Sequence, residues 1–396
     1  MAKKPKKKEG EVSKDRKESK VVKKVEVKES NSVLTLASFV SLVAFAVLCA
    51  IAYNIYADVV YVPEMPTFDM NKSWGPNTTQ PEDTSIRPYR IVFSDSVLPL
   101  LLLHGWPGSV REFYEVIPLL TTERPGYNFV FEVIAPVRPG LSPHQIAIIM
   151  RNLMQRLGHK QYYVQGGNIG HLIGSHMATI FPKEVVGFHT NFPVNFSKYA
   201  QWVWVLGSIW PTLVANENVD RMYPLDKKVN FYLEEIGFLH LQGTKPDTIG
   251  IALQDSPAGL ASYILDRMMI FTDPANKLDP DGGMKKYYTY DQLLDNIMLY
   301  WVSGSITTSM RIYKEIFEDS AMEKMIELIP TTVPTWGARF KNDLAYTPDF
   351  LLKWKYPNLL GTSNYNVGGH LAAFERPKEF SESVFQGAKA FLAFSK

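Results

Sequence analysis

The short run Tyr162-Tyr163-Val164-Gln165 leads straight into Gly166-Gly167-Asn168-Ile169-Gly170, and helical spacing from about His171 to Ile180 follows without a linker. A strand, a sharp turn in which Gly166 and Gly170 frame one polar side chain, and an immediate helix force the central side chain out above the end of a sheet. Everything else the chain does must accommodate that corner. The flanking pattern agrees with it. Leu98 to Leu103 reads as a buried strand that ends at His104-Gly105-Trp106-Pro107-Gly108, and Phe129 to Ile134 as a second that Pro136 stops. Val185 to Asn191 is a further strand, and Val110 to Leu120 and Gln145 to Leu157 have helical spacing. Strands alternating with helices predict a parallel sheet covered on both faces.

The rhythm changes between about Pro193 and Leu328, where helical segments rich in Trp, Tyr and Met follow one another without strands. It resumes at Val333 to Phe340 and Thr362 to Val367, before a terminal helix from Ala372 to Phe394. The order predicts one α/β domain, residues 98–192 and 331–396, with a helical lid inserted at 193–330 over the carboxyl ends of the strands. Of the 396 residues 46% are hydrophobic and 21% charged, which excludes disorder of the whole chain. The single cysteine, Cys49, excludes an intrachain disulfide and a thiolate zinc cluster. No metal and no organic cofactor is implied.

Charge is distributed unevenly. Residues 1–31 carry 12 basic and 6 acidic side chains, leaving 30 basic and 34 acidic on the remainder. The mildly acidic globular part argues against nucleic-acid binding, and the Lys/Glu-rich leader reads as a solvated, disordered basic tail. Val33 to Tyr53 is uncharged over 21 residues, and as a helix it would span about 31 Å, close to the hydrocarbon thickness of a bilayer. The expectation is a transmembrane anchor within residues 32–56, with membrane lipid as its partner through residues 33–53. Ala50-Ile51-Ala52 keeps a cleaved signal peptide as the alternative. Basic residues before the span and Asp58 and Glu64 after it orient the tail to the cytosol and the globular part across the membrane. Asn71-Lys72-Ser73, Asn77-Thr78-Thr79 and Asn195-Phe196-Ser197 match the glycosylation triplet, in agreement with a lumenal domain.

Two residues extend the corner at Asn168 into a candidate site. Asp343 lies just after the strand Val333–Phe340, and His370 follows Gly368-Gly369 after the last strand. Elbow, acid and histidine stand in the chain order of α/β-hydrolases. His104-Gly105-Trp106-Pro107 follows an earlier strand, where such folds place half of an oxyanion hole. No Gly-x-Ser-x-Gly occurs, which disfavours a serine hydrolase.

From about Val62 onward the chain resembles the microsomal epoxide hydrolases, and most closely their insect juvenile hormone branch. The carriers are Glu82-Asp83-Thr84-Ser85-Ile86-Arg87-Pro88, His104-Gly105-Trp106-Pro107-Gly108-Ser109, Thr244-Lys245-Pro246-Asp247-Thr248, Asp255-Ser256-Pro257-Ala258-Gly259-Leu260 and Gly368-Gly369-His370-Leu371-Ala372-Ala373-Phe374-Glu375. The resemblance implies an α/β-hydrolase fold and a two-step reaction that turns an epoxide and water into a vicinal diol. An elbow aspartate forms an ester with the substrate, and a histidine oriented by an acid activates the water that hydrolyses it. It further implies that His370 is the base, Asp343 the acid and Tyr313 one of two lid tyrosines that donate to the epoxide oxygen, with backbone N–H groups near Trp106 and Ile169 holding the oxyanion. A lipophilic epoxide is the implied small-molecule partner and the endoplasmic reticulum membrane the implied location.

The chain departs from that pattern at the site. Asn168 stands where the family has aspartate, Ile169 where it has tryptophan, and Phe238, in Gly237-Phe238-Leu239-His240, where it has the second tyrosine. A neutral amide lacks the anionic oxygen the first step needs, so the expectation is a family member with little or no epoxide hydrolysis. An active hydrolase of lipophilic or terpenoid epoxides and a non-catalytic ligand-binding or scaffold protein are the alternatives. Two segments are short for the family: Tyr89 to Leu103, which alone separates two motifs, and Val137-Arg138-Pro139-Gly140, which runs directly into the next helix. Exon skipping, a faulty gene model and a naturally reduced scaffold, with the N-terminal family segment confined to 62–97, each account for them.

Overall fold

A computed structural model describes residues 96–136, 141–214 and 218–395. The basic tail, the expected membrane span, Asn71 and Asn77, and Val137-Arg138-Pro139-Gly140 lie outside the described residues. Among the described residues no helix is long and apolar enough to cross a membrane.

Among the described residues six strands form one parallel sheet: β1 (Val97–Leu103), β2 (Val130–Ile134), β3 (Tyr162–Gly166), β4 (Val185–Thr190), β5 (Thr335–Phe340) and β6 (Leu359–Tyr365), in the spatial order β2-β1-β3-β4-β5-β6. Successive side chains of a strand point to opposite faces, and in β1 both faces are apolar. Leu100 and Leu102 pack with Phe113, Val116, Phe380 and Phe385, whereas Leu101 and Leu103 pack with Ile146, Met150, Ile173 and Met177. That two-sided burial is why β1 reads as an unbroken leucine run. Helix α1 (Val116–Thr121) covers the first face together with the C-terminal helix, and α2 (Pro143–Arg156) and α3 (Ile169–Ile180) cover the second.

Several boundaries move from their expected places for local reasons. The spacing over Val110–Leu120 resolves into a 3-10 turn, Val110–Phe113, and then α1, so that Pro118 falls in the first turn of a helix, where its missing N–H is tolerated. Helix α2 begins two residues early because Pro143 suits the first helical position and Gln145 Oε1 accepts from the Ser142 N–H at 3.2 Å. The terminal helix is two pieces: Arg376, held out of the helical region by Pro377, separates a single turn at Ala372–Glu375 from the long helix Pro377–Phe394.

Between β4 and β5 the chain is helical. The pieces that bear on the site and its neighbour are α4 (Gly237–Thr244), α5 (Pro246–Asp255), α6 (Pro257–Thr272), α7 (Tyr290–Ser303), α8 (Ile306–Glu318) and α9 (Ser320–Leu328). After β5, α10 (Asp349–Lys355) returns the chain to the sheet and α11 (Pro377–Phe394) closes it. Asn195, one of the glycosylation triplets, is buried here. Its Nδ2 donates to Leu351 O at 2.7 Å and its Oδ1 accepts from Ser197 N at 2.9 Å, so in the folded chain it ties the start of the insertion to α10 and cannot carry a glycan.

Candidate active site

The elbow is shaped by close backbone approaches. A Cβ on Gly166 would lie 2.1 Å from Gly170 O, and one on Gly170 would lie 2.1 Å from Leu103 O. Only glycine permits those contacts, and they throw the strain onto the residue between. Asn168 sits at φ 53, ψ −128, the sole non-glycine residue with positive φ among the described residues. Such a conformation costs on the order of 1–3 kcal/mol and clusters at functional sites. Asparagine meets it more easily than most side chains.

The Asn168 carboxamide is fully engaged. Its Oδ1 accepts from the Ile169 N–H, the first of α3, at 2.5 Å. Its Nδ2 donates to Trp106 O at 3.0 Å and to His370 Nε2 at 2.7 Å. The opposite amide orientation would place an acceptor against the Trp106 carbonyl and donors against the Ile169 N–H, so the surroundings fix which end is nitrogen. On the far side of the ring, His370 Nδ1 donates to Asp343 Oδ1 at 2.6 Å. A carboxylate can only accept, so the proton is on Nδ1 and Nε2 offers its lone pair to the amide.

The loop that carries His370 is held by its own backbone. Gly368 is at φ 79, His370 N donates to Phe271 O at 2.8 Å, and a Cβ on Gly369 would lie 2.1 Å from Thr272 O. Glu375, buried, receives Gly369 N on Oε2 at 2.6 Å and Leu371 N on Oε1 at 2.9 Å. Burial pushes its carboxyl up to about 8 despite those two N–H donors. Phe192 and Phe271 stand edge-on to the imidazole, at 4.7 and 5.3 Å.

The insertion closes over this corner with aromatic rings. Phe238, on α4, stacks on Trp106 at 5.2 Å, and Tyr313, on α8, meets Trp106 edge-on at 6.0 Å and Phe238 at 5.8 Å. Tyr263, on α6, meets Trp106 at 5.9 Å. Burial holds the Tyr313 hydroxyl well above its ordinary value of 10, so it stays a protonated donor. Of the two expected oxyanion positions, Ile169 offers its N–H to residue 168 whereas Trp106 offers its carbonyl oxygen.

Two cavities adjoin the corner. An apolar one of about 330 Å³ is lined by Trp106, Ile169, Ile173, Tyr300 and Ile312, but not by Asn168 or His370. A small one of about 10 Å³ touches Asn168, His370, Glu112, Gln165 and Asn191. Gln165 Oε1 and Glu112 Oε1 are buried without a hydrogen-bond partner, and burial pushes the Glu112 carboxyl up to about 8. Among the described residues no group of three or more His, Cys, Asp or Glu side chains could hold a metal ion.

The sequence reading therefore placed Asn168, Ile169, Trp106, Phe238, Tyr313, Asp343 and His370, and the structure brings all seven into one corner. It missed Glu112, Gln165, Tyr263, Phe271 and Glu375. The last was visible only as the end of the Gly368–Glu375 motif, and Phe271 carried no signal beyond being aromatic.

No family model matches the chain. Over 307 residues it is 48% identical to the juvenile hormone epoxide hydrolase of Bombyx mori, covering 74% of this chain and 67% of that protein. That decides the family. The chain belongs to the juvenile hormone and microsomal epoxide hydrolases. This epoxide hydrolase homologue is also 37% identical over 315 residues to epoxide hydrolase 1 of Sus scrofa, covering 76% of the chain and 69% of that protein. The crystal structure of the silkworm juvenile hormone epoxide hydrolase superposes on it with a TM-score of 0.74 at 46% identity, over 78% of this chain and 75% of that one. Its fold is accordingly the α/β-hydrolase fold of the epoxide hydrolases.

Proposed function

We propose that this epoxide hydrolase homologue binds a lipophilic, terpenoid-like epoxide under the insertion, which acts as its lid, and that in the form first translated it opens that epoxide poorly. The observation that carries the reading is the Asn168 carboxamide. Its only oxygen already accepts from Ile169 N, and nitrogen faces the base. No anionic oxygen is left to attack an epoxide carbon. Loss of a covalent nucleophile costs about 10⁴–10⁶ in turnover, or roughly 5–8 kcal/mol of barrier.

The other roles follow from the same geometry. Asp343 fixes the His370 tautomer and supports its charged form. His370 serves as base toward water. Tyr313 donates to the epoxide oxygen, and Phe238 occupies the second donor place without a donor. The Ile169 N–H, at the start of α3, faces charge developing on the residue 168 oxygen. The 330 Å³ cavity, walled by Trp106 and Ile169, accounts for an apolar ligand. Support for location comes from the sequence: the uncharged stretch Val33–Tyr53 supplies a single-pass anchor in the endoplasmic reticulum membrane, tail cytosolic and globular part lumenal.

The test compares freshly purified chain with the Asn168→Asp variant on a terpenoid epoxide, following diol formation. The variant turns over and the parent does not. Equal turnover by both, with the amide intact in the parent, removes the reading.

A further inference from the structure

The carbon that bears the Asn168 amide sits in the position of an acyl carbon within a hydrolytic apparatus. We infer that the site hydrolyses its own Asn168 carboxamide, converting position 168 to aspartate after folding. This rests on the assignment of residue 168 to the nucleophile position, and goes beyond it by giving the inactive chain a route to an active one.

Four features meet at Cγ of Asn168. Its carbonyl oxygen is polarised by the Ile169 N–H at 2.5 Å. Its leaving nitrogen lies 2.7 Å from His370 Nε2, the group that can hand it a proton. Asp343, 2.6 Å from Nδ1, supports the imidazolium that forms in between. The 10 Å³ cavity reaches both Asn168 and His370, which is room for about one water, and Gln165 Oε1 and Glu112 Oε1 are buried there without partners. A cavity of that size with two unpartnered side-chain oxygens in its surroundings suits a water whose oxygen points at Cγ.

The step balances with water as the only co-reactant. His370 Nε2 exchanges the amide N–H for the water, and a Cγ–O bond forms as it takes a proton from that water. The tetrahedral oxyanion rests on the Ile169 N–H. It collapses with cleavage of Cγ–Nδ2, and His370 returns the proton to nitrogen, which leaves as ammonia. Nothing is oxidised or reduced.

The usual spontaneous route, attack by the next backbone nitrogen, is obstructed. That nitrogen belongs to Ile169, whose N–H is committed to Oδ1 and whose backbone is in the first turn of α3. Its β-branched side chain crowds the approach further. Site-directed hydrolysis therefore yields ordinary α-aspartate, whereas the backbone route yields largely isoaspartate.

The experiment incubates the freshly purified full chain in detergent and follows the peptide containing residue 168 by mass spectrometry, which reads a gain of about one dalton on conversion, with an isoaspartate assay alongside. The expected result is conversion to α-aspartate with a parallel rise in epoxide turnover. His370→Ala should slow the conversion by about 10²-fold or more, the usual worth of a general base. Near-UV circular dichroism and melting check that it folds, and Asp343→Asn, which keeps the ring, slows conversion in the same direction. Persistence of the amide in folded wild-type chain overturns the inference, as does predominant isoaspartate or conversion at the wild-type rate in both variants. If the chain converts yet Asn168→Asp shows no epoxide turnover, the assigned activity fails and self-hydrolysis stands. If Asn168→Asp is active and the parent never converts, the reverse holds.

Discussion

Two buried histidine–carboxylate clusters press on opposite ends of α3, and they are built to opposite purposes. At its start, Asp343, His370 and Asn168 form a chain of short hydrogen bonds, 2.6 and 2.7 Å, that ends on one strained side chain. Toward its end, His176 lies 3.4 Å from both Glu323 and Glu327 of α9 without hydrogen-bond geometry to either ring nitrogen. Glu323 also takes His144 of α2 at 2.9 Å. Lys355 of α10 caps the last turn of α9, donating to Ile326 O at 2.7 Å and Ile329 O at 2.9 Å. Burial would raise Glu327, but Lys355 and His176 outweigh it and hold its carboxyl near 2. The second cluster cancels its charges among helices and joins the insertion to the sheet. The first aligns donors and acceptors on one carboxamide. Burial of titratable groups is common to both, so alignment on a strained side chain is what sets the first apart.

That contrast breaks most easily at residue 168. Asn168→Asp should raise epoxide turnover over freshly made chain by about 10⁴–10⁶, the equivalent of 5–8 kcal/mol, with only a modest fall in melting temperature, since the side chains are nearly isosteric and the change removes the donation to Trp106 O. A large loss of stability would mean that the amide is a structural strut like those of the second cluster.

Lys355→Met tests the other end. It strands a buried carboxylate and should cost about 3–5 kcal/mol of stability. In the Asn168→Asp background, turnover per folded molecule should be unchanged. A fall in turnover without unfolding would show that the two clusters communicate through α3.

Phe238→Tyr, again in the Asn168→Asp background, should add about 10²–10³ in turnover by restoring a donor near the epoxide oxygen, by analogy with oxyanion donors. No gain would mean that the Phe238–Trp106 stack is set too close to admit substrate beside it.

The smallest effect is in the pH dependence of melting, where buried carboxyls beside the first cluster and within the second have opposite signs. Glu112 and Glu375, raised from 4.5 to about 8, contribute stability that is complete below 4.5 and lost as pH rises through 8. Glu327, lowered from 4.5 to about 2, contributes stability that is complete above 4.5 and lost as pH falls through 2. Glu112→Gln should flatten the alkaline arm and Glu327→Gln the acid arm. Should each substitution alter the other's arm, the assignment of signs is wrong.

How much was legible in the sequence follows the range of the interactions. The elbow, the HGWP loop and the His370 loop announce themselves through glycines and apolar runs a few residues long, and these positioned the site. The parallel sheet was equally plain, because β1 and β3 are buried on both faces. The break before Pro377 was readable from that proline, though the apolar spacing across it masked the signal. The second cluster was not readable at all: His144, His176, Glu327 and Lys355 come from four separate helices and acquire meaning only when packed together. Asn195 shows the converse, a surface motif by sequence that the fold turns inward.

The backbone at position 168 is held at φ 53 between Gly166 and Gly170, whose close approaches leave no room for a Cβ. A saturation library there will consequently be filtered by conformation before chemistry is ever sampled. Glycine, asparagine, aspartate and serine can occupy such a turn, β-branched residues are disfavoured at positive φ, and the alphabet open to evolution at this corner is only a few letters wide.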